Sequence, residues 1–333
     1  MSVLNVALIG SEDLARRMGK RGDVRDVESY VYKEGSGEEA RVLSFLRPLK
    51  HPEKLRPLLS VLDVARAGLI EIKQIDSTLG ETLVALGCAR IEHGHVVITN
   101  DQGSWVDPSQ VEVLLKQAGL EGWKIHEGDL DDHALRDELF EFQKISSIGI
   151  DNSDSPLILP VDQHFNVKGV GLVAIGYVQS GSVSKHDEVE VFPAGEVGIV
   201  RSLQVMDDDV DLAVAGDRVG VALRNLRESS LHRGCMICEP GKSALVRNGS
   251  STIRVKMAPF QKRVFSEGDV IHAASDLQFV VGRVTHVGEE SISVDWDSPL
   301  WIRSDGSSEV VLVQLDAMPM RIMGSAREIT PVS

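Results

Sequence analysis

An α/β domain followed by two all-β domains is the architecture this 333-residue sequence predicts, and three observations lead to it. Strand and helix signals alternate through residues 1–150, the pattern of a mostly parallel sheet covered on both faces. Residues 160–240 break into short stretches of alternating apolar and polar residues cut by Gly, Pro or Asp turns. That is how a small closed β-barrel buries one face of each strand. A second series of short strands follows Gly241. The boundaries read from these shifts are 1–150, 151–242 and 243–333, with the polar stretch DNSDSP (151–156) as the first link.

In the first domain, LNVALI (4–9) is an apolar strand and leads into a helical DLARRMGK. ESYVY (28–32) and ARVLSFL (40–46) are the next strands, and PEKLRPLLSVL (52–62) is helical. AGLIEI (67–72) is a buried strand, and Thr78 with Glu81 has the spacing of a capping box on the helix after it. HVVIT (95–99) is a strand. Asp107-Pro108-Ser109-Gln110 opens a helix, with Asp as cap and Pro at the first helical position. WKIHE (123–127) and an amphipathic segment from Asp131 to Ile145 complete the series. In the third domain TIRVKM, LQFVVGRVTHV, SISVDW, SSEVVLVQLD and MPMRIM are the strand candidates.

The bulk properties narrow the function classes. A formal net charge of −15 argues against a free-standing DNA or RNA binder with a broad basic face, although the last third of the chain is nearly neutral. No apolar run approaches the roughly 20 residues a membrane helix needs. MSVLNVALIG lacks the basic region of a signal peptide. Three cysteines (Cys88, Cys235, Cys238) make no disulfide framework, so a cytoplasmic protein with neither membrane nor DNA partner is expected.

Six strings in the second domain carry a resemblance. They are FNVKGVG (165–171), GYVQSGSV (176–183), DEVEVFP (187–193), VRSLQV (200–205), AGDRVG (215–220) and HRG (232–234). In this order they resemble the second domain of the translational GTPases, the family of elongation factor Tu and the selenocysteine-specific elongation factor. The resemblance implies a GTPase-shaped first domain and two barrels of the domain 2 and domain 3 kind. It implies that the first barrel holds the aminoacylated end of a tRNA and leans on the ribosome, with other translation factors as further partners. The strings GKRG (19–22) and VALIG (6–10) are similar to those of shortened, SelB-like homologues of methanogenic archaea.

The nucleotide elements of that family are missing. A phosphate loop needs G-x-x-x-x-G-K-[ST] between the first strand and helix, where backbone amides and Lys hold phosphate and the hydroxyl holds Mg²⁺. Here Gly10 and Ser11 are followed at once by Glu12 and Asp13, and the next Gly-Lys pair, Gly19-Lys20, precedes Arg21. Gly19-Lys20 is read as the solvated end of a basic helix. After ARVLSFL the family's Asp-x-x-Gly-His is replaced by Leu46-Arg47-Pro48-Leu49-Lys50-His51. The guanine-reading Asn-Lys-x-Asp becomes Asn100-Asp101-Gln102-Gly103, and His126-Glu127-Gly128-Asp129 stands where Ser-Ala would back the base. We therefore expect a degenerate GTPase-like domain that binds no nucleotide cofactor and catalyses nothing. An atypical GTP-binding factor and a protein-interaction scaffold are the alternatives.

The resemblance also places residues around the tRNA end. Val170, Gly171 and Leu172 would line the adenine side, Gln204 would face the terminal ribose, and Asp207 and Arg218 would stand near the aminoacyl ester. Asp207 reverses the charge the family carries there. Among the remaining groups, Cys235-Met-Ile-Cys238 lies in a strand, where residues three apart face opposite ways, and is read as structural. Asp207-Asp208-Asp209 reads as a solvated loop. The ten histidines form no metal-spaced cluster with carboxylates, so no metal is expected.

Overall fold

The computed structural model describes residues 2–99, 105–148 and 155–332. The first domain runs β1 (Ser2–Ile9), α1 (Glu12–Met18), β2 (Lys20–Val24), β3 (Val27–Glu34), β4 (Arg41–Pro48), α2 (Arg56–Leu62), β5 (Ala67–Ile72), α3 (Ser77–Cys88), β6 (Gly94–Ile98), α4 (Pro108–Ala118), β7 (Lys124–Glu127) and α5 (Asp132–Ile148). Its strands form one sheet in the order β2-β3-β4-β1-β5-β6-β7. The five from β4 to β7 in that order are parallel, and β3 and β2 extend the sheet antiparallel. Helices α2, α3 and α4 cover one face and α1 and α5 the other, so successive strand residues fall into two different apolar clusters.

The first barrel comprises β8 (Ile158–Val167), β9 (Gly171–Tyr177), β10 (Ser182–Ser184), β11 (Glu188–Phe192), β12 (Glu196–Val205), β13 (Asp208–Val210), β14 (Leu212–Val214), β15 (Arg218–Arg224) and β16 (Met236–Cys238). Six of these strands close into a ring, β11-β16-β8-β9-β15-β12, through the β11–β12 pairing. The second barrel is a closed ring β17-β20-β19-β18-β21-β22, from β17 (Leu245–Met257), β18 (Val270–Ser275), β19 (Gln278–Val287), β20 (Ser291–Arg303), β21 (Val311–Val313) and β22 (Ile322–Pro331). Alternate side chains such as Val189, Val191, Val219 and Val221 in the first ring, and Ile271, Val294 and Leu312 in the second, point into the barrels and are buried. Gly234 has φ +86° where the two barrels meet, and a Cβ there would stand 2.9 Å from the Leu277 carbonyl oxygen.

Several local expectations are corrected. Gly19 closes α1 with extended backbone and Lys20 begins β2, so Gly19-Lys20 is a helix-to-strand junction rather than a helix end. All five β2 residues are exposed, so no apolar alternation announces that strand. The cap of α3 is Asp76, whose carboxylate accepts from Leu79 N at 2.8 Å, and Glu81 is drawn instead to Arg321 of the second barrel. Asp208 and Asp209 belong to β13, with the turn at Met206-Asp207 (φ +51° and +66°). Strand β18 was not foreseen, because VIHAAS is rich in small residues of weak β-propensity.

Candidate functional site

The crevice at the carboxyl ends of β1 and β5 is where an open α/β sheet holds a ligand. It is a cavity of about 460 Å³ whose lining includes Gly10, Ser11, His51, Glu71 and Asp76. The chain leaves β1 at Ile9 and enters α1 at Glu12, with Ser11 as cap accepting from Leu14 N at 3.2 Å. Only Gly10 and Ser11 join the two elements. The Ser11 amide donates to Glu71 Oε2 at 2.7 Å, and Thr99 Oγ1 lies 3.3 Å from Glu71 Oε1. A Cβ on Gly10 would come within 2.9 Å of Glu71 Cβ. Arg47 donates to the Gly10 carbonyl at 2.8 Å and to Glu28 at 2.7 Å, and Glu28 is buried against Arg21 and Tyr30 as well. Burial pushes the His51 imidazole below its usual range.

The carboxylate that meets the loop is therefore Glu71, not Glu12 or Asp13. Glu12 turns outward to Arg16, which holds its carboxyl below the ordinary value, and Asp13 is exposed. Glu71 escaped the sequence reading because it is an ordinary polar break in an apolar strand, 60 residues from its partner. Residues 100–103, where the guanine-reading motif was sought, lie outside the described residues.

The positions carried over for the tRNA end do not form one pocket. On β15, Leu223 pairs with Leu172 while Arg218 pairs with Tyr177. Five residues of strand, about 17 Å, separate the two ends. Val170, Gly171 and Leu172 stand at one end, where Arg201 donates to the Gly169 and Val170 carbonyls. Leu172 is buried in the barrel core. Gln204 and Asp207 stand at the other end, and Gln204 is spent on Asp209 at 3.0 Å. Arg218 leaves the barrel altogether and binds Asp23 of the α/β domain at 2.8 Å. Tyr177 beside it is buried, which pushes its hydroxyl up to about 12.

The expectation of no metal-spaced histidines is also corrected. His95 Nδ1 lies 2.9 Å from His126 Nε2 and 3.8 Å from Glu138 Oε2, with Lys124 Nζ 2.7 Å from the same carboxylate. The three ligand atoms lie within 4.8 Å of one another. His95 is fully buried, and burial pushes it down to about 4. Residues 95, 126 and 138 come from β6, β7 and α5, so no sequence spacing signals them. Cys235 and Cys238 are free, buried and in different apolar clusters, and burial raises their thiols to about 11 and about 12. Reactive thiolates at neutral pH are not available there.

The model of elongation factor Tu domain 2 matches residues 171–238. An uncharacterized protein of Methanocaldococcus jannaschii is 29% identical over 326 residues, covering 97% of this chain and 99% of its own length. The selenocysteine-specific elongation factor of the same organism is 40% identical over 84 residues, 25% of this chain and 18% of that protein. Among solved structures, a bacterial selenocysteine-specific elongation factor superposes with a TM-score of 0.78 at 19% identity, over 98% of this chain and 58% of that one. The chain thus spans little more than half of that structure, and at such identity the likeness concerns the fold. Motif strings, domain match and architecture agree: residues 171–238 match elongation factor Tu domain 2, and the chain is similar to selenocysteine-specific elongation factors, one of them archaeal, in that domain by sequence and over its whole length by fold.

Proposed function

We propose that this elongation factor-like protein binds tRNA or the ribosome without a nucleotide cycle and has no GTPase activity. The observation that carries the reading is the Glu71 carboxylate, which accepts the Ser11 amide at 2.7 Å in the crevice where a phosphate would be gripped. A phosphate charge 4 Å from that carboxylate meets a repulsion of roughly 4 kcal/mol per unit pair at an effective dielectric of about 20. Of the cations at the crevice, Arg47 is already divided between Gly10 and Glu28, and Lys73 lies 3.9 Å from Glu71 Oε1. A second support is the seam between domains, which a GTP-driven movement would have to break: Asp23–Arg218, Asp26–Arg233 and Lys33–Asp208 all cross it. Binding of RNA is then constitutive and salt-sensitive.

Calorimetry with GTP, GDP and Mg²⁺ is expected to give no heat of binding at about 1 mM ligand, a free energy weaker than about −4 kcal/mol. A micromolar dissociation constant overturns the reading in favour of an atypical GTP-binding factor. Ribosome co-sedimentation and tRNA filter binding are expected to be positive at about 50 mM salt and to fall steeply by about 200 mM. The exposed carboxylate of Asp207 at the turn between β12 and β13 favours a protein-binding scaffold as the second reading. Absence of any RNA or ribosome binding at low salt would select it.

A further inference from the structure

We propose that His95, His126 and Glu138 form a binding site for a divalent transition ion of the zinc type, on the face of the α/β sheet covered by α5. Three lone-pair atoms converge there: His95 Nδ1, His126 Nε2 and a Glu138 oxygen, all within 4.8 Å of one another. Tetrahedral zinc, with ligands at about 2.0–2.2 Å, sets neighbouring ligand atoms about 3.4 Å apart. The observed separations of 2.9 Å and 3.8 Å straddle that value, so a small rotation of the two partly exposed groups would complete the geometry.

The scaffold is rigid where it needs to be. His95 is fixed on β6, fully buried, with His93 edge-on at 5.5 Å and His93 itself stacked on Phe142 at 3.9 Å. His126 stands on the neighbouring β7, where Val97 is its register partner, so both imidazoles rise from the same face. Glu138 is brought over them by α5, whose Leu135 and Leu139 are buried in the cluster that also holds Val97. Its side chain is 38% exposed, which gives an ion a way in.

Two features make a cation the natural occupant. A neutral imidazole pair can place only one proton between its nitrogens, and the carboxylate 3.8 Å from His95 Nδ1 is left facing a lone pair or a proton already shared. The cation that does approach, Lys124, is itself 58% exposed and reaches the carboxylate through a single contact. Two imidazoles and one carboxylate are the donor set suited to zinc and its neighbours in the Irving–Williams order, with the fourth position open to water. An ion there would tie α5, the last helix before the barrels, to the edge of the sheet. Lys124 competes with the metal for the carboxylate, and this separates a metal site from a plain hydrogen-bonded cluster.

The experiment titrates untagged full-length protein with Zn²⁺ against a chromogenic chelator at neutral pH, with Co²⁺ absorption as a report on coordination. One equivalent is expected to bind with micromolar or tighter affinity. His126→Gln is expected to weaken it by about 100-fold and Glu138→Gln by about tenfold, while Lys124→Met tightens it several-fold. Lack of stoichiometric binding by the wild type overturns the proposal, and so does binding that all three variants leave unchanged. Should His126→Gln fail to fold by circular dichroism, Glu138→Gln and Lys124→Met, both at partly exposed positions, decide.

Discussion

The first barrel meets the α/β domain chiefly through charged side chains, whereas the second barrel shares an apolar core with it. On the first seam, Asp23 pairs with Arg218, Asp26 with Arg233, and Lys33 with Asp208, over a small apolar patch of Val3, Val31 and Val42. On the second, Ala274, Leu277, Val311, Val313, Met320 and Ile322 join residues of α2, α3 and α4 in one buried cluster. Polar pairs flank that core: Glu81 holds Arg321 and the Asp63 carboxylate accepts the Leu277 amide at 3.0 Å in sheltered places, and Arg90 meets Glu309 at 2.8 Å at the exposed rim. The difference teaches where rigidity resides. Apolar burial offers no charge for salt to screen, whereas exposed ion pairs are worth about 0–1 kcal/mol each and are screened. The second barrel and the α/β domain are therefore expected to unfold as one unit, with the first barrel as the adjustable part.

Four changes would break or sharpen that contrast. The largest effect is expected from Ile322→Ala, which opens a cavity in the shared core at a fully buried position and should cost about 3 kcal/mol. Urea unfolding followed by tryptophan fluorescence and circular dichroism should keep a single transition for that unit. Separate transitions for the α/β domain and the second barrel would end the idea of a shared core. Glu81→Gln should cost somewhat less, about 2–3 kcal/mol, because Arg321 keeps the Pro52 carbonyl at 2.9 Å but loses its counter-charge in a sheltered place.

Asp217 tests the first barrel itself through pH. Burial raises its carboxyl from 3.8 to about 6, although the Val214 amide donates to it at 2.9 Å. A raised folded-state pKa means that its contribution is full below the ordinary value near 3.8 and is lost as pH rises through about 6. Compared with Asp217→Asn, the wild type should lose about 1–3 kcal/mol of stability between about pH 4 and pH 7. Parallel pH profiles for the two proteins would refute this. The smallest effect belongs to Arg218→Ala, about 1 kcal/mol at low salt, shrinking as salt is added. A salt-independent loss would mean that Arg218 acts by packing on Tyr177 rather than through Asp23.

The crevice offers a further contrast with the seams. At the seams polar groups were recruited outward to partners in another domain, whereas at the end of β1 they turned inward onto one another. Glu71 on the Ser11 amide and Arg47 on the Gly10 carbonyl satisfy the backbone groups that a shortened loop leaves open. The missing Gly-Lys-Ser/Thr string was legible in the sequence. What replaced it was not, since Glu71, Arg47 and Glu28 lie on three different strands.

Periodicity and turn chemistry by themselves determined the domain order and the strands of the first domain other than β2, because alternation of period two and apolar runs between Gly and Pro turns are local properties. The local strings of the first barrel determined its kinship for the same reason. Only the tertiary structure decided which side chains meet. It split Leu172 from Arg218 along β15, gave Arg218 to Asp23, took Glu81 from the helix cap to Arg321, and gathered His95, His126 and Glu138. These are contacts between residues far apart in the chain, fixed by strand register and domain docking. A cap or a turn is chosen by its neighbours in sequence, but an ion pair across a seam is chosen by the whole fold.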